Sequence, residues 1–307
     1  MKKWLIFLLK WGILFGAVSV LIFGLVRMMP ISPAEHWLMN FNLPHTEENI
    51  EYVTKQMGLD RSAAVQYFEW LGRFFRGDWG YSLYAHLDIK EQFLQKLPYS
   101  ISIGMIGILL SAVISFFLGY RAAIHSKGVC DRLTSFLSVL TQSVPSFISS
   151  ILIIYFLSVR LGIIKFFSGN SGCALIAAIL IMAVYRMGSL SRVVKKAFRE
   201  EMSKSYVRFS VSRGFEKNRV LLTQAYKPVV CHLLSAITGS FATVFGGSTV
   251  LEFAFGIPGI SFFLVNSMKN ADYAVLQTYI LVVVIWMCLI HVMFQILLYR
   301  LDVRRRK

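Results

Sequence analysis

Residues 275–298 contain no Asp, Glu, Lys or Arg. A water-soluble helix of that length would show a polar face, and this one has none. The stretch matches the roughly 20 residues needed to cross a hydrocarbon layer of about 30 Å. Comparable stretches recur at 5–29, 99–120, 133–159, 171–190 and 229–251, giving six expected spans. The fourth is the weakest, because its uninterrupted apolar core covers only residues 173–185. Composition agrees: 56% of the 307 residues are hydrophobic and 16% charged. A soluble domain averages about 25% charged residues. The expected class is therefore an all-α integral membrane protein.

The first stretch resembles a signal peptide in having Lys2 and Lys3 ahead of an apolar run. Lys10 interrupts that run and no A-x-A site closes it, so it reads as a retained first helix. Six spans place both termini on one side. One face then collects 21 of the 32 Lys and Arg but only 5 of the 16 Asp and Glu. An excess of Lys and Arg marks the cytoplasmic side. The net charge of +16 is thereby a topology signal with attraction to anionic lipid, and no nucleic-acid partner is expected.

Three divisions follow: a membrane helix at 1–29, a folded extracytoplasmic segment at 30–97, and a five-span core at 98–307. In the outer segment Thr46-Glu-Glu reads as an N-cap with acidic first-turn residues. Val65, Phe68, Leu71 and Phe75 carry helical spacing. Pro98 is expected to stand just ahead of the second span. The inner segment 186–227 is far longer than a turn between two helices needs.

Chemical motifs are scarce. The chain has no G-x-x-x-x-G-K-[ST], no H-E-x-x-H and no G-x-S-x-G, so no catalytic residue and no nucleotide site of its own is expected. Acidic residues fall in loops or at span ends, which weakens the alternative of an ion-coupled secondary transporter. Four scattered cysteines (130, 173, 231, 288) show no zinc spacing. Six histidines show no i, i+4 pairing, and only His36 with His45 forms a pair worth testing. No metal site is expected. His291, on the sixth span, is a candidate for facing a pathway.

Within a cytoplasmic loop at 193–228, Tyr206, Arg208, Ser210, Arg213, Gly214, Phe215 and Arg219 lead to Lys227-Pro228. Gly214 can take φ > 0 and end a short helix. Pro228 can sit in the first turn of the next. The result is a compact elbow able to dock in a groove. An ordinary basic loop fits the spacing equally.

The pattern Y-V-R-x-S-x-x-R-G-x, then R-V-L-L, then Pro resembles the signature loop of ABC importer permeases of the peptide/nickel class. The resemblance covers nearly the whole chain, through Met57-Gly-Leu-Asp60, Gly77-Asp-Trp-Gly-Tyr-Ser82, Ser143-Val-Pro145-Ser-Phe147 and Gly246-Gly-Ser-Thr-Val-Leu-Glu252-Phe-Ala-Phe255-Gly-Ile-Pro258-Gly259, then Asp272-Tyr273. It departs where Phe209 replaces a small residue, and where His291 and Gln295 replace the usual Asn and Asp. The resemblance implies a type I importer fold in a prokaryotic cytoplasmic membrane. It also implies partners: a second homologous permease, two ABC ATPase subunits that use ATP and Mg, and a solute-binding protein. The elbow would be the coupling element, with Arg208, Arg213 and Arg219 as rim charges worth about 1 kcal/mol each. The outer stretch at residues 42–67 leans toward the nickel branch, with nickel carried as a chelate or metallophore complex; dipeptide or oligopeptide import is the alternative.

Pro145 should kink the third span and free a carbonyl, with Gln142 and Ser143 beside it. A path-lining break and a packing kink both fit. Glu252 and Phe255 read as an outer re-entrant turn that contacts the binding protein, closes the outer mouth or simply caps the structure. Asp272 is expected to cap the sixth span.

Overall fold

The computed structural model describes residues 2–28, 32–82, 85–164, 166, 171–242, 244–270 and 272–301. In chain order its helices are α1 (Lys2–Arg27), α2 (Pro33–Asn40), α3 (Glu47–Gln56), α4 (Ala63–Arg76), α5 (Ile89–Ile101), α6 (Gly107–Ile124), α7 (Val129–Ser143), α8 (Ser146–Ile154), α9 (Ser171–Met202), α10 (Ser205–Ser212), α11 (Lys217–Val220), α12 (Tyr226–Ala242), α13 (Val244–Gly247), α14 (Thr249–Phe255), α15 (Ile260–Lys269) and α16 (Tyr273–Leu301). Wide π-helical turns lie at Ser102–Ile106, Tyr155–Arg160 and Leu221–Ala225. Two two-residue strands, β1 (Tyr81–Ser82) and β2 (Leu87–Asp88), pair antiparallel.

Five continuous stretches are long and apolar enough to cross a membrane: Leu9–Arg27, Ile89–Ile124, Gly172–Met202, Lys217–Ala242 and Tyr273–Leu301. Two helix pairs qualify only as bent pairs. Val129–Ser143 with Ser146–Arg160 turns by 96°, and Val244–Phe255 with Ile260–Lys269 by 78°. The all-α membrane fold stands and six spans fall within this range, but three details of the sequence expectation change. The third span is broken rather than kinked. The second begins at Ile89, where Asp88 Oδ1 accepts from Glu91 N at 3.0 Å, so Pro98 lies inside the helix. The fourth, α9, has 32 residues, a length of about 48 Å, and so outruns the bilayer. The segment starting at residue 186 is thus helix as far as Met202.

The chain divides into two compact units: Met1–Leu97 with Phe262–Cys288, and Pro98–Ser261 with Leu289–Lys307. The expected 98–307 core is therefore shared between them.

In the first unit, Ser32 and Glu35 form a reciprocal capping box at the start of α2, and Thr46 Oγ1 accepts from Asn49 N at 3.3 Å to cap α3. Gly77, at φ 87°, ends α4. Ala34, Leu38 and Val53 make a small core under α2 and α3. Ile22 and Val26 of α1 pack with Tyr273 and Leu276 of α16. Trp79 stacks on Phe74 at 5.4 Å and meets Phe93 edge-on at 5.6 Å. Helices α3 and α4 fall where the Thr46 cap and the helical spacing of Val65 to Phe75 place them.

The second unit is organised by α6 against α9. Gly107, Ser111, Ser115 and Gly119 recur every fourth residue and are all buried. A Cβ on Gly119 would lie 2.7 Å from Val194 and 2.8 Å from the Ser191 carbonyl oxygen. Membrane helices pack by such close backbone approach, because lipid supplies no hydrophobic drive between them. Toward the C-terminal end of α9 Lys195 pairs with Asp131, and Arg199 lies 3.8 Å from the same carboxylate.

Candidate functional site

The elbow begins where α9 stops. Glu201 is 1% exposed and accepts hydrogen bonds from Lys204 Nζ and, at 2.5 Å, from Tyr206 Oη. A buried carboxylate needs such partners. Together they set the direction in which α10 leaves. Helix α10 ends because Gly214 sits at φ 88°, with Gly214 N donating to Val211 O (3.0 Å) and Phe215 N to Ser210 O (3.3 Å). Helix α11 restarts at Lys217 and runs through the π turn into α12, whose third residue is Pro228. Pro228 was expected in the first turn of the next helix, but it lies inside the continuous stretch Lys217–Ala242, just past the π turn.

Inside the elbow, Val207, Val220, Leu221 and Ala225 are buried, and Ser210 Oγ donates to Gln224 Oε1 at 2.9 Å. Outside it, residues 211–219 are all exposed. Phe209 is 63% exposed and Phe215 46%, and the Arg213 guanidinium lies 5.7 Å from the Phe209 ring centroid. Arg208 and Arg219 flank them. Exposed aromatic side chains ringed by arginine have the composition of an interface core.

The other expected positions are not gathered in one place. At the α7–α8 break, Val144 and Pro145 are extended. The Val144 carbonyl freed there accepts from Tyr185 Oη at 2.7 Å, and the same hydroxyl lies 2.7 Å from Ser149 Oγ. Gln142 is exposed but folds back on Ser138, donating to its carbonyl at 2.6 Å. Ser143 and Pro145 are exposed. At the α14–α15 turn, Glu252 is 0% exposed and its Oε1 accepts from Ser100 Oγ and Ser248 Oγ, both at 2.7 Å. Ser100 Oγ in turn accepts from Ile260 N at 2.9 Å. Phe255 is buried against Phe166, centroids 5.4 Å apart. Asp272, in the first unit, is fully buried at the start of α16. Its strong bond comes from Ser82 Oγ (2.6 Å), while the capping bond from Val275 N is 3.4 Å. His291 is half-buried on α16.

A model of the family described as the binding-protein-dependent transport system inner membrane component matches residues 91–307. The chain belongs to this family. Among its relatives are a probable peptide ABC transporter permease of Sinorhizobium fredii, 28% identical over 87% of each chain, and the dipeptide transport system permease DppB of Lactococcus lactis, 27% identical over 85% of this chain and 84% of its own. The nickel import system permease NikB of Staphylococcus aureus is 24% identical over 99% of this chain and 92% of its own. The chain is thus a multi-pass ABC importer permease of the peptide/nickel class.

In this permease the residues that sequence reasoning missed are those defined by their side-chain partners, near in the chain for Glu201 and farther for Gln224 and Tyr185. Glu201, Gln224 and Tyr185 act through contacts within the fold, and a buried acid near a loop carries no local signature. Arg186 was counted with the cytoplasmic basic residues. It lies about 22 Å along α9 from Ser171, inside a helix rather than in a loop. Its Nη2 would be 3.3 Å from a Cβ on Gly247. Among the described residues no group of three or more His, Cys, Asp or Glu is placed to hold a metal ion. His36 is buried beside Tyr273, and His45 is exposed.

Proposed function

We propose that this permease forms half of a translocation path for a small carboxylate-bearing solute, a dipeptide or oligopeptide, delivered by a solute-binding protein. A homologous permease supplies the other half, and two ATPase subunits that bind ATP and Mg drive alternating access. The chain itself catalyses nothing, and both termini face the cytoplasm. The exposed elbow at Tyr206–Arg219 carries this reading. It is a rigid knuckle that turns Phe209 and Phe215 outward and its small aliphatic residues inward, which suits a cleft in a soluble partner. In this role Tyr206 and Ser210 position the knuckle, while Arg208, Arg213, Phe215 and Arg219 touch the partner.

The likeness to a peptide permease and a dipeptide permease supports a peptide cargo. Import of nickel in a carboxylate chelate is a second reading. It is supported by the near full-length likeness to the nickel permease. Uptake of labelled dipeptide and of labelled nickel, each with and without chelator, in cells deleted for the chain tests both. Loss of dipeptide uptake alone supports the first reading; loss of chelated nickel uptake alone supports the second. Uptake of both at wild-type rates would defeat the proposal.

A further inference from the structure

The first unit holds a cavity of about 670 Å³ that the transport cycle above does not use. Its walls include Phe23, Trp70, Trp79 and Tyr273, and two arginines, Arg27 and Arg73, line it. Three carboxylates also line it; one is neutralised by an arginine, and two are held by backbone N–H groups and keep their charge. Glu69 pairs with Arg61 at 2.5 Å, Glu35 accepts from Ser32 N at 2.8 Å, and Asp78 accepts from Gly80 N at 3.1 Å. The arginines differ. Arg27 lies 4.6 Å from the Phe23 ring centroid, and neither Arg27 nor Arg73 forms an ion pair among the described residues.

The level of the cavity identifies its ligand chemistry. Arg27 is in the last turn of α1 and Tyr273 opens α16, so the cavity lies where two membrane helices meet the aqueous phase. Tryptophan and tyrosine gather at that level, and so do lipid headgroups. Guanidinium groups bind phosphate and carboxylate through paired N–H donors. The volume falls within the usual range for small-molecule sites, about 300–1,000 Å³.

We propose that this cavity is an anion site in which Arg27 and Arg73 hold the phosphate of an outer-leaflet phospholipid headgroup against the aromatic wall. The site secures the outer unit to the membrane independently of which solute is carried. A free solute carboxylate shares the chemistry, and the test separates the two sources.

The full-length permease is stripped in detergent, titrated with palmitoyl-oleoyl phosphatidylglycerol, and the bound lipid counted by native mass spectrometry. Arg27→Gln with Arg73→Gln should weaken lipid binding about tenfold or more, while Arg27→Lys with Arg73→Lys should keep most of it. On the wild-type chain, the lipid should protect Arg27 and Arg73 from phenylglyoxal, read by peptide mass spectrometry, so the result does not depend on the variants folding. Arginine-dependent binding of a free dipeptide that displaces the lipid would keep the anion site and assign it to solute. Unchanged lipid binding by the Gln pair, or equal phenylglyoxal labelling with and without both ligands, would overturn the proposal.

Discussion

Two glycine turns in the second unit solve the same backbone problem in opposite ways. Gly214 in the elbow and Gly256 in the α14–α15 turn both take left-handed conformations, at φ 88° and 62°. Around Gly214 the space is open: a Cβ there would meet nothing within 4 Å. Around the outer turn it is closed: a Cβ on Gly259 would lie 2.3 Å from Glu252 Oε2 and 2.7 Å from Ser100 Oγ. The elbow's tip at Gly214 turns on backbone conformation and leaves Phe209 and Phe215 exposed. The outer turn is tied to its own unit by a buried carboxylate. An exposed turn can leave its polar groups to water, whereas a buried turn needs every polar group paired.

The largest effect should come from Gly214→Pro. Proline fixes φ near −65° and removes the N–H that bonds Val211 O. A cost of about 3 kcal/mol or more corresponds to roughly a 100-fold loss of coupled transport. Vesicle uptake should fall to background while the subunit still inserts, and normal uptake would break the distinction between the two turns. Gly259→Val comes next and should act on folding instead. Its side chain overlaps Glu252, an overpacking cost of about 1–3 kcal/mol, read as lowered thermal stability in detergent. Unchanged stability would show that the outer turn is not closed.

Much of this architecture was legible in the chain itself. Uncharged stretches marked the spans, Thr46 marked a helix start, and the position of Gly214 before a restarted helix marked the elbow. These are local signals, read over a few residues. The bonds to Glu252 show what was not legible: Ser100 stands 152 residues away in the chain. Nothing near Glu252 foretells that its carboxylate ties a turn together. The 96° break at Pro145 was read as a kink, because the Tyr185 hydroxyl that satisfies the freed carbonyl belongs to another helix.

Phe209→Ala with Arg213→Ala sharpens the contrast at smaller scale. Both side chains are outward and pack on each other, so the pair should leave thermal stability unchanged. Affinity for the ATPase subunits should fall about tenfold, as at an interface hot spot, by pull-down titration. A stability loss without an affinity loss would show that the elbow serves its own fold.

The smallest effect lies in the outer segment. Backbone and side-chain hydrogen bonds from Ser32 hold the Glu35 carboxyl below the usual carboxylate range. A group depressed in the folded state stabilises it above its unfolded pKa and stops doing so as pH falls through the folded value. Glu35→Gln should therefore raise proteolysis of the outer segment slightly at pH 7 and make no difference in strong acid. Equal cleavage of both forms at every pH would remove the capping box from the account.

The central claim is that this chain conducts solute on energy received through the elbow. The most direct measurement places the complete importer, with its binding protein, in proteoliposomes and follows solute uptake with ATP, then without ATP under an imposed proton or sodium gradient. The account predicts uptake with ATP and none under either gradient. Gradient-driven uptake in vesicles that contain this chain and no ATPase would contradict it.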